Sequence, residues 1–118
     1  MKPQNLKDRT KKFAISVLKY LESIPKNGPY YPLANQLTRA SMSVGANYRA
    51  ASRAKSPADF INKLKIVEEE CDECMYFMEI LLELLPEDER KLNELLKEAN
   101  ELLSITVASI KTARKNNS

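Results

Sequence analysis

Glu68, Glu69, Glu70, Cys71, Asp72, Glu73 and Cys74 form the densest group of reactive and metal-ligating side chains in the sequence. Carboxylates and thiols this close first suggest a metal centre. In a helical bundle, however, a di-iron site draws on Glu-x-x-His pairs, and the chain contains no histidine. Zinc held by the two cysteines would need two further Cys or His ligands, and none remains. Cysteines three apart on one helix are badly placed for a disulfide that closes a useful loop, and both fall on an apolar seam. Core packing is therefore the simpler reading of Cys71 and Cys74, with reduced thiols that fit a reducing compartment. An acidic run at consecutive helical positions reads as a solvated face. With no histidine, no third cysteine and no serine beside an evident base, nucleophilic catalysis has no constellation to work with, which leaves paired carboxylates as the one catalytic alternative to a solvated acidic face. Two glycines, Gly28 and Gly45, cannot build a phosphate-cradling loop. The sequence thus predicts no catalytic residue, metal, cofactor or small-molecule substrate.

The basic residues carry more information. The formal charge is +3, but the two halves differ in sign. Through Lys65 there are 13 basic and 3 acidic residues, a net of +10; from Ile66 onward there are 6 and 13, a net of −7. Such a division favours pairing between the halves along their rims and leaves a basic face for an acidic partner. Lys7, Arg9, Lys11, Lys12 and Lys19 in the first helical segment, with Arg39, Arg49, Arg53 and Lys55 around the second, could neutralise phosphates. Of these, Lys11, Lys12, Arg39, Arg49, Arg53 and Lys55 are the principal candidates for contacts to RNA or DNA. Tyr30, Tyr31 or Tyr48 would be available to stack on bases. For any one of these cations, a solvated rim-pairing role is the competing account, because no groove-reading motif accompanies them.

These side chains need helices to position them. Apolar residues make up 43% and charged residues 30% of the 118 positions, a globular composition long enough for one core. The wealth of Leu, Lys, Glu and Ala favours helix. A first helix is expected over residues 6–24, with Leu6, Phe13, Val17, Tyr20, Leu21 and Ile24 on one stripe. Ile15 and Leu18 lie off it, which implies either a wider core face or a contact with another subunit; the wider core is the simpler of the two. The breaker cluster from Pro25 to Pro29 must end that helix. A second helix is expected over 32–54, with Pro32 in its first turn and small residues dominating its interior. Gly45 there costs about 1 kcal/mol relative to Ala, which implies a tight crossing or a bend. Asn47 falls on the small-residue stripe, so its amide is expected to be buried and to fix register or oligomeric state. Ser56 as N-cap with Pro57 and Asp59 starts a third helix over 57–85, whose Phe60, Leu64, Val67, Cys71, Cys74, Met78, Leu81 and Leu85 keep heptad spacing. Pro86 closes it, and acidic Glu87, Asp88 and Glu89 open a fourth helix over 87–113 before a polar tail expected to fray. Short connections make this a single domain, an all-α, antiparallel up-down-up-down four-helix bundle. No apolar run is long enough to cross a bilayer, and the start at Met1 lacks a signal-peptide apolar region, so a cytoplasmic location with no membrane partner is expected.

The run from Gln36 to Ser56, QLTRASMSVGANYRAASRAKS, is followed by Asp59-Phe60 and Lys63-Leu64. It resembles the four-helix bundle proteins encoded in intervening sequences of bacterial 23S ribosomal RNA genes. The segment from Glu68 to Leu85, with Tyr76-Phe77-Met78-Glu79, is similar to the third helix of that family. Where many members carry an Ile-Ala-Glu-Gly-like sequence, Tyr48-Arg49-Ala50-Ala51 stands here. The resemblance implies a homopentamer with no established enzymatic activity. A related group, the accessory variability proteins of diversity-generating retroelements, is pentameric, basic and binds nucleic acid; this chain departs from it in most of its sequence and in its acidic second half. Together these features predict a homo-oligomeric binding or scaffolding module with RNA or DNA as partner. The alternative is a protein–protein interaction component of a mobile-element-associated system that binds no nucleic acid.

Overall fold

The structure, a computed structural model, describes residues 5–116. Asn5 begins the first helix: its side chain accepts a hydrogen bond from the Asp8 backbone N–H at 3.2 Å, satisfying one of the unpaired donors of the first turn. Helix α1 runs Leu6–Leu21, ending sooner than the apolar stripe implies. Ile24 lies beyond its end yet is buried, because the turn folds it back into the core. Lys26 Nζ closes this end by donating to the carbonyls of Leu21 (3.1 Å), Glu22 (2.8 Å) and Ile24 (3.1 Å). Gly28 then adopts φ +57°, a left-handed conformation that side chains disfavour, and the chain reverses into α2, Tyr30–Ala51.

Ser56 is extended and its hydroxyl accepts from the Asp59 N–H at 3.1 Å, while the Asp59 carboxylate accepts from the Lys55 N–H at 3.2 Å. This reciprocal cap, with Pro57 at the first helical position, launches α3, Pro57–Leu84. The bond from Lys55, and then that from Lys63, holds Asp59 below its ordinary pKa. Pro86 ends α3, and Pro86–Asp88 form a 3-10 turn in place of the expected first turn of the last helix. Helix α4 spans Glu89–Asn116, three residues beyond the expected end, with Arg114 and Lys115 in its last turn; Asn117 and Ser118 lie outside the described residues.

The helices form an antiparallel up-down-up-down bundle measuring 48 × 27 × 20 Å. Leu37, Ala40, Ser41 and Val44 of α2, Val67 to Leu81 of the heptad seam and Leu92, Leu95, Ala99 and Leu102 of α4 are buried together with Phe13 and Val17 of α1, and Leu64 packs in a smaller cluster with Ala51 and Ile110. Phe60 and Ala113, at the ends of their stripes, are half-buried. Ile15 is 40% exposed and Leu18 half-buried, so the core is no wider at Ile15 than one stripe, contrary to the simpler expectation. No described helix is long and apolar enough to cross a membrane.

Candidate nucleic-acid interface

The bundle spends part of its positive charge internally. Arg39 of α2 donates from Nη1 to Glu70 Oε1 (3.3 Å) and Oε2 (3.2 Å) and from Nη2 to Glu73, joining α2 to α3. The Glu73 and then the Glu70 bonds push the Arg39 pKa further up, fixing its charge. Arg9 does the same between α1 and α4: Nε donates to Glu98 Oε2 at 2.7 Å, and Nη2 donates to Glu98 Oε1 at 2.9 Å and Glu101 Oε1 at 2.6 Å. Lys12 pairs with Asp8 one turn away at 3.1 Å. Lys55 is exposed in the α2–α3 connection.

The remaining candidates come together. Lys11, Arg49 and Arg53 line one groove between α1 and α2, of about 470 Å³, and Lys7 joins them. Lys7 and Lys11 are one turn apart on α1; Arg49 lies in the last turn of α2 and Arg53 one turn beyond it. None of the four forms an ion pair among the described residues. Small residues, Ala14, Gly45 and Ala46, line the groove between these cations and leave its space open. A Cβ built on Gly45 would lie 3.4 Å from Thr10 Oγ1 and 3.6 Å from the Thr10 carbonyl carbon, so the helices cross closely there. Thr10 itself is buried, its hydroxyl donating to Leu6 O at 2.6 Å. Asp8, the one carboxylate among the described residues that line the groove, is the partner of Lys12.

Base stacking has no place in this groove. Tyr30 and Tyr48 are half-buried and packed on the core, and burial pushes the Tyr48 pKa up. Tyr31 is 64% exposed. It precedes Arg49 by 18 positions, about 27 Å along α2 at helical rise. Asn47 is half-buried rather than buried, and its Nδ2 donates to Ser43 O (2.9 Å) and Ser43 Oγ (2.8 Å). That bond stays within its own helix, so it does not set register between helices.

The thiols of the acidic cluster lie in the core. Cys71 and Cys74 are free and fully buried. Burial, followed by the charges of Glu70 and Asp72, pushes the Cys71 pKa up to about 12, and burial raises Cys74 as well. Among the described residues no group of three metal-ligating side chains converges. The groove's chemistry is that of N–H donors on exposed cations, suited to a polyanion. Lys7 was the least distinguished of the four in sequence; its i, i+4 relation to Lys11 is the signal that pairs them.

Among proteins of curated function no sequence matches this one. A solved structure of a protein with unknown function from the S23 ribosomal protein family of Bacteroides thetaiotaomicron VPI-5482 is similar to it, with a TM-score of 0.79 and 30% sequence identity over 89% of this chain and 97% of that one. The sequence profile of the 23S rRNA-intervening sequence proteins matches residues 4–108. With that span covered, the chain belongs to the 23S rRNA-intervening sequence protein family.

Proposed function

We propose that this protein is a non-catalytic, self-associating helical bundle that serves as a binding or scaffolding module for RNA or DNA in the cytoplasm. The observation that carries the reading is the collection of Lys7, Lys11, Arg49 and Arg53 around one groove with no carboxylate partner of their own. Elsewhere the bundle pairs opposite charges across its helices, as at Arg9 and Arg39. Four long cations left facing one space repel one another, and phosphates are the ligand that relieves this most directly. The family's name connects its members with 23S rRNA intervening sequences, which agrees with a nucleic-acid partner. Resemblance to that family supports a homopentamer, and exposed Ile15 and Tyr76 supply apolar surface that assembly could cover.

Titration of fluorescent RNA and DNA at low and high salt tests the reading. Binding should be strongest at about 50 mM salt and fall steeply by about 200 mM, as released counterions become less favourable to release. Absence of binding at the low salt would end it. A second reading is favoured by Met42, which is 48% exposed and lines the groove: an acidic, partly apolar protein segment as occupant. Protein partners that persist through nuclease treatment of a pull-down would support that alternative, a protein-interaction component of a mobile-element-associated system.

A further inference from the structure

We infer that the α1–α2 groove holds one single strand of nucleic acid by its phosphates and reads no bases, an inference that rests on the nucleic-acid reading above. Lys7 and Lys11 stand on one wall and Arg49 and Arg53 on the other. On α1 the four-residue spacing of Lys7 and Lys11 is about 6 Å of helical rise, comparable with the separation of neighbouring phosphates along one strand, and Arg53 follows Arg49 just past the end of α2. Packed helices lie about 8–10 Å apart, so cations rising from both walls flank a single chain from two sides. A duplex is too broad to enter between them and would meet only one wall at a time. The small residues Ala14, Gly45 and Ala46 leave room for a sugar–phosphate chain to approach the helices closely, where both arginines can fork onto phosphate oxygens.

The same surroundings remove base recognition. Among the described residues no aromatic ring lines the groove, and Met42 is its one large apolar side chain. Stacking on aromatic residues is what normally supplies sequence-tolerant base affinity in single-strand sites, so here the phosphates carry the binding alone. The half of the chain from Ile66 onward, with its net −7, repels the strand from the opposite side of the bundle and orients it on α1 and α2.

The test uses the full chain and labelled oligonucleotides short enough to span one groove, of thymidylate, adenylate and duplex form, over a salt series. Four phosphate contacts on a single strand give a slope of log K against log salt of about −2.8, or about a 50-fold loss between 50 and 200 mM. Arg49→Gln combined with Arg53→Gln should halve the slope and reduce that loss to about 7-fold. Both arginines are exposed, so the pair of substitutions leaves the core intact, and circular dichroism checks it. Lys19→Gln, an exposed α1 position away from the groove, should keep the full slope. No binding by any oligonucleotide would overturn both the nucleic-acid reading and this one. Binding whose slope is unmoved by the double substitution would overturn the groove and leave the nucleic-acid reading standing. Equal or tighter duplex binding would overturn the single strand, and a preference above about tenfold between thymidylate and adenylate would overturn phosphate-only recognition. Polyglutamate competing as well as the strand would overturn the inference in favour of an acidic protein segment.

Discussion

Individual side chains in this bundle show how surroundings set reactivity. Tyr20 OH donates to Asp88 Oδ2 at 2.8 Å, tying the end of α1 to the turn that precedes α4. Burial first, then the Asp88 bond and the charges of Asp88 and Glu87, raises the phenol above its ordinary pKa. The folded protein therefore keeps this proton where the unfolded chain loses it. The stabilisation is complete below pH 10 and declines as pH rises above that value. Tyr20→Phe should cost about 1 kcal/mol at neutral pH and flatten the loss of stability above pH 10 in urea titrations. Parallel curves for the two proteins would contradict the assignment. The raised pKa of Cys71 and Cys74 leads to a second expectation. Since the thiolate is the reactive form and both sulfurs lie in the core, Ellman's reagent at pH 8 should modify neither thiol in the native protein and both on unfolding in guanidinium. Modification of the native protein at the rate of free cysteine would show that the α3 seam opens readily.

At the scale of elements, Gly45 shows how a local cost and a packing requirement combine. Glycine inside a helix is about 1 kcal/mol less favourable than alanine, yet a Cβ here meets Thr10 at 3.4, 3.6 and 3.7 Å, ordinary contact distances. Gly45→Ala should therefore stabilise the bundle by up to about 1 kcal/mol, a rise of a few degrees in Tm. Gly45→Leu should destabilise it, because a longer side chain has to enter the α1–α2 crossing where Thr10 is fixed by its bond to Leu6. A lower Tm for the alanine variant would mean that the crossing is tighter than these distances. The Ser56 cap, the Pro86 stop and the heptad stripe of α3 were legible in sequence, since each is written in residues within a turn or two of one another, whereas Gly45 left a crossing and a bend as alternatives that the approach of Thr10 decides. The groove was only half legible. Periodicity says which face of a helix turns inward, but Arg39 meets Glu70 and Glu73 more than thirty residues away, and Lys11 faces Arg49 across two helices. Which outward cations are neutralised and which are left unpaired depends on how the helices are rotated and staggered, and no local pattern encodes that. Asn47 is less buried than its small-residue stripe implied, for a related reason: the end of α2 turns partly to solvent there, and the amide bonds to Ser43.

For the whole molecule, helix lengths and charge decide where it gives way first. Helix α1 has 16 residues, whereas α3 and α4 have 28 each, so α1 lies along only part of the bundle. It packs more sparsely on α4 than α3 does, and its polar ties to that helix and its leading turn are the Arg9 fork at one end and the Tyr20–Asp88 bond at the other. Local opening starts where few buried contacts must be broken, so α1 amides should exchange with deuterium faster than those between Leu64 and Leu81 of α3. Arg9→Gln removes the fork and should speed exchange along α1 while leaving the middle of α3 unchanged. Raising salt should weaken the effect only partly, because Arg9 is largely shielded, its side chain 22% exposed. The groove has α1 as one wall, so a strand bound to Lys7, Lys11, Arg49 and Arg53 must close that opening to bind. Slower exchange in α1 and the end of α2 on adding oligonucleotide, with α3 unaffected, would follow from a ligand that bridges the two helices; equal protection of α1 and α3 in the free protein would show that the short helix is not the weak element.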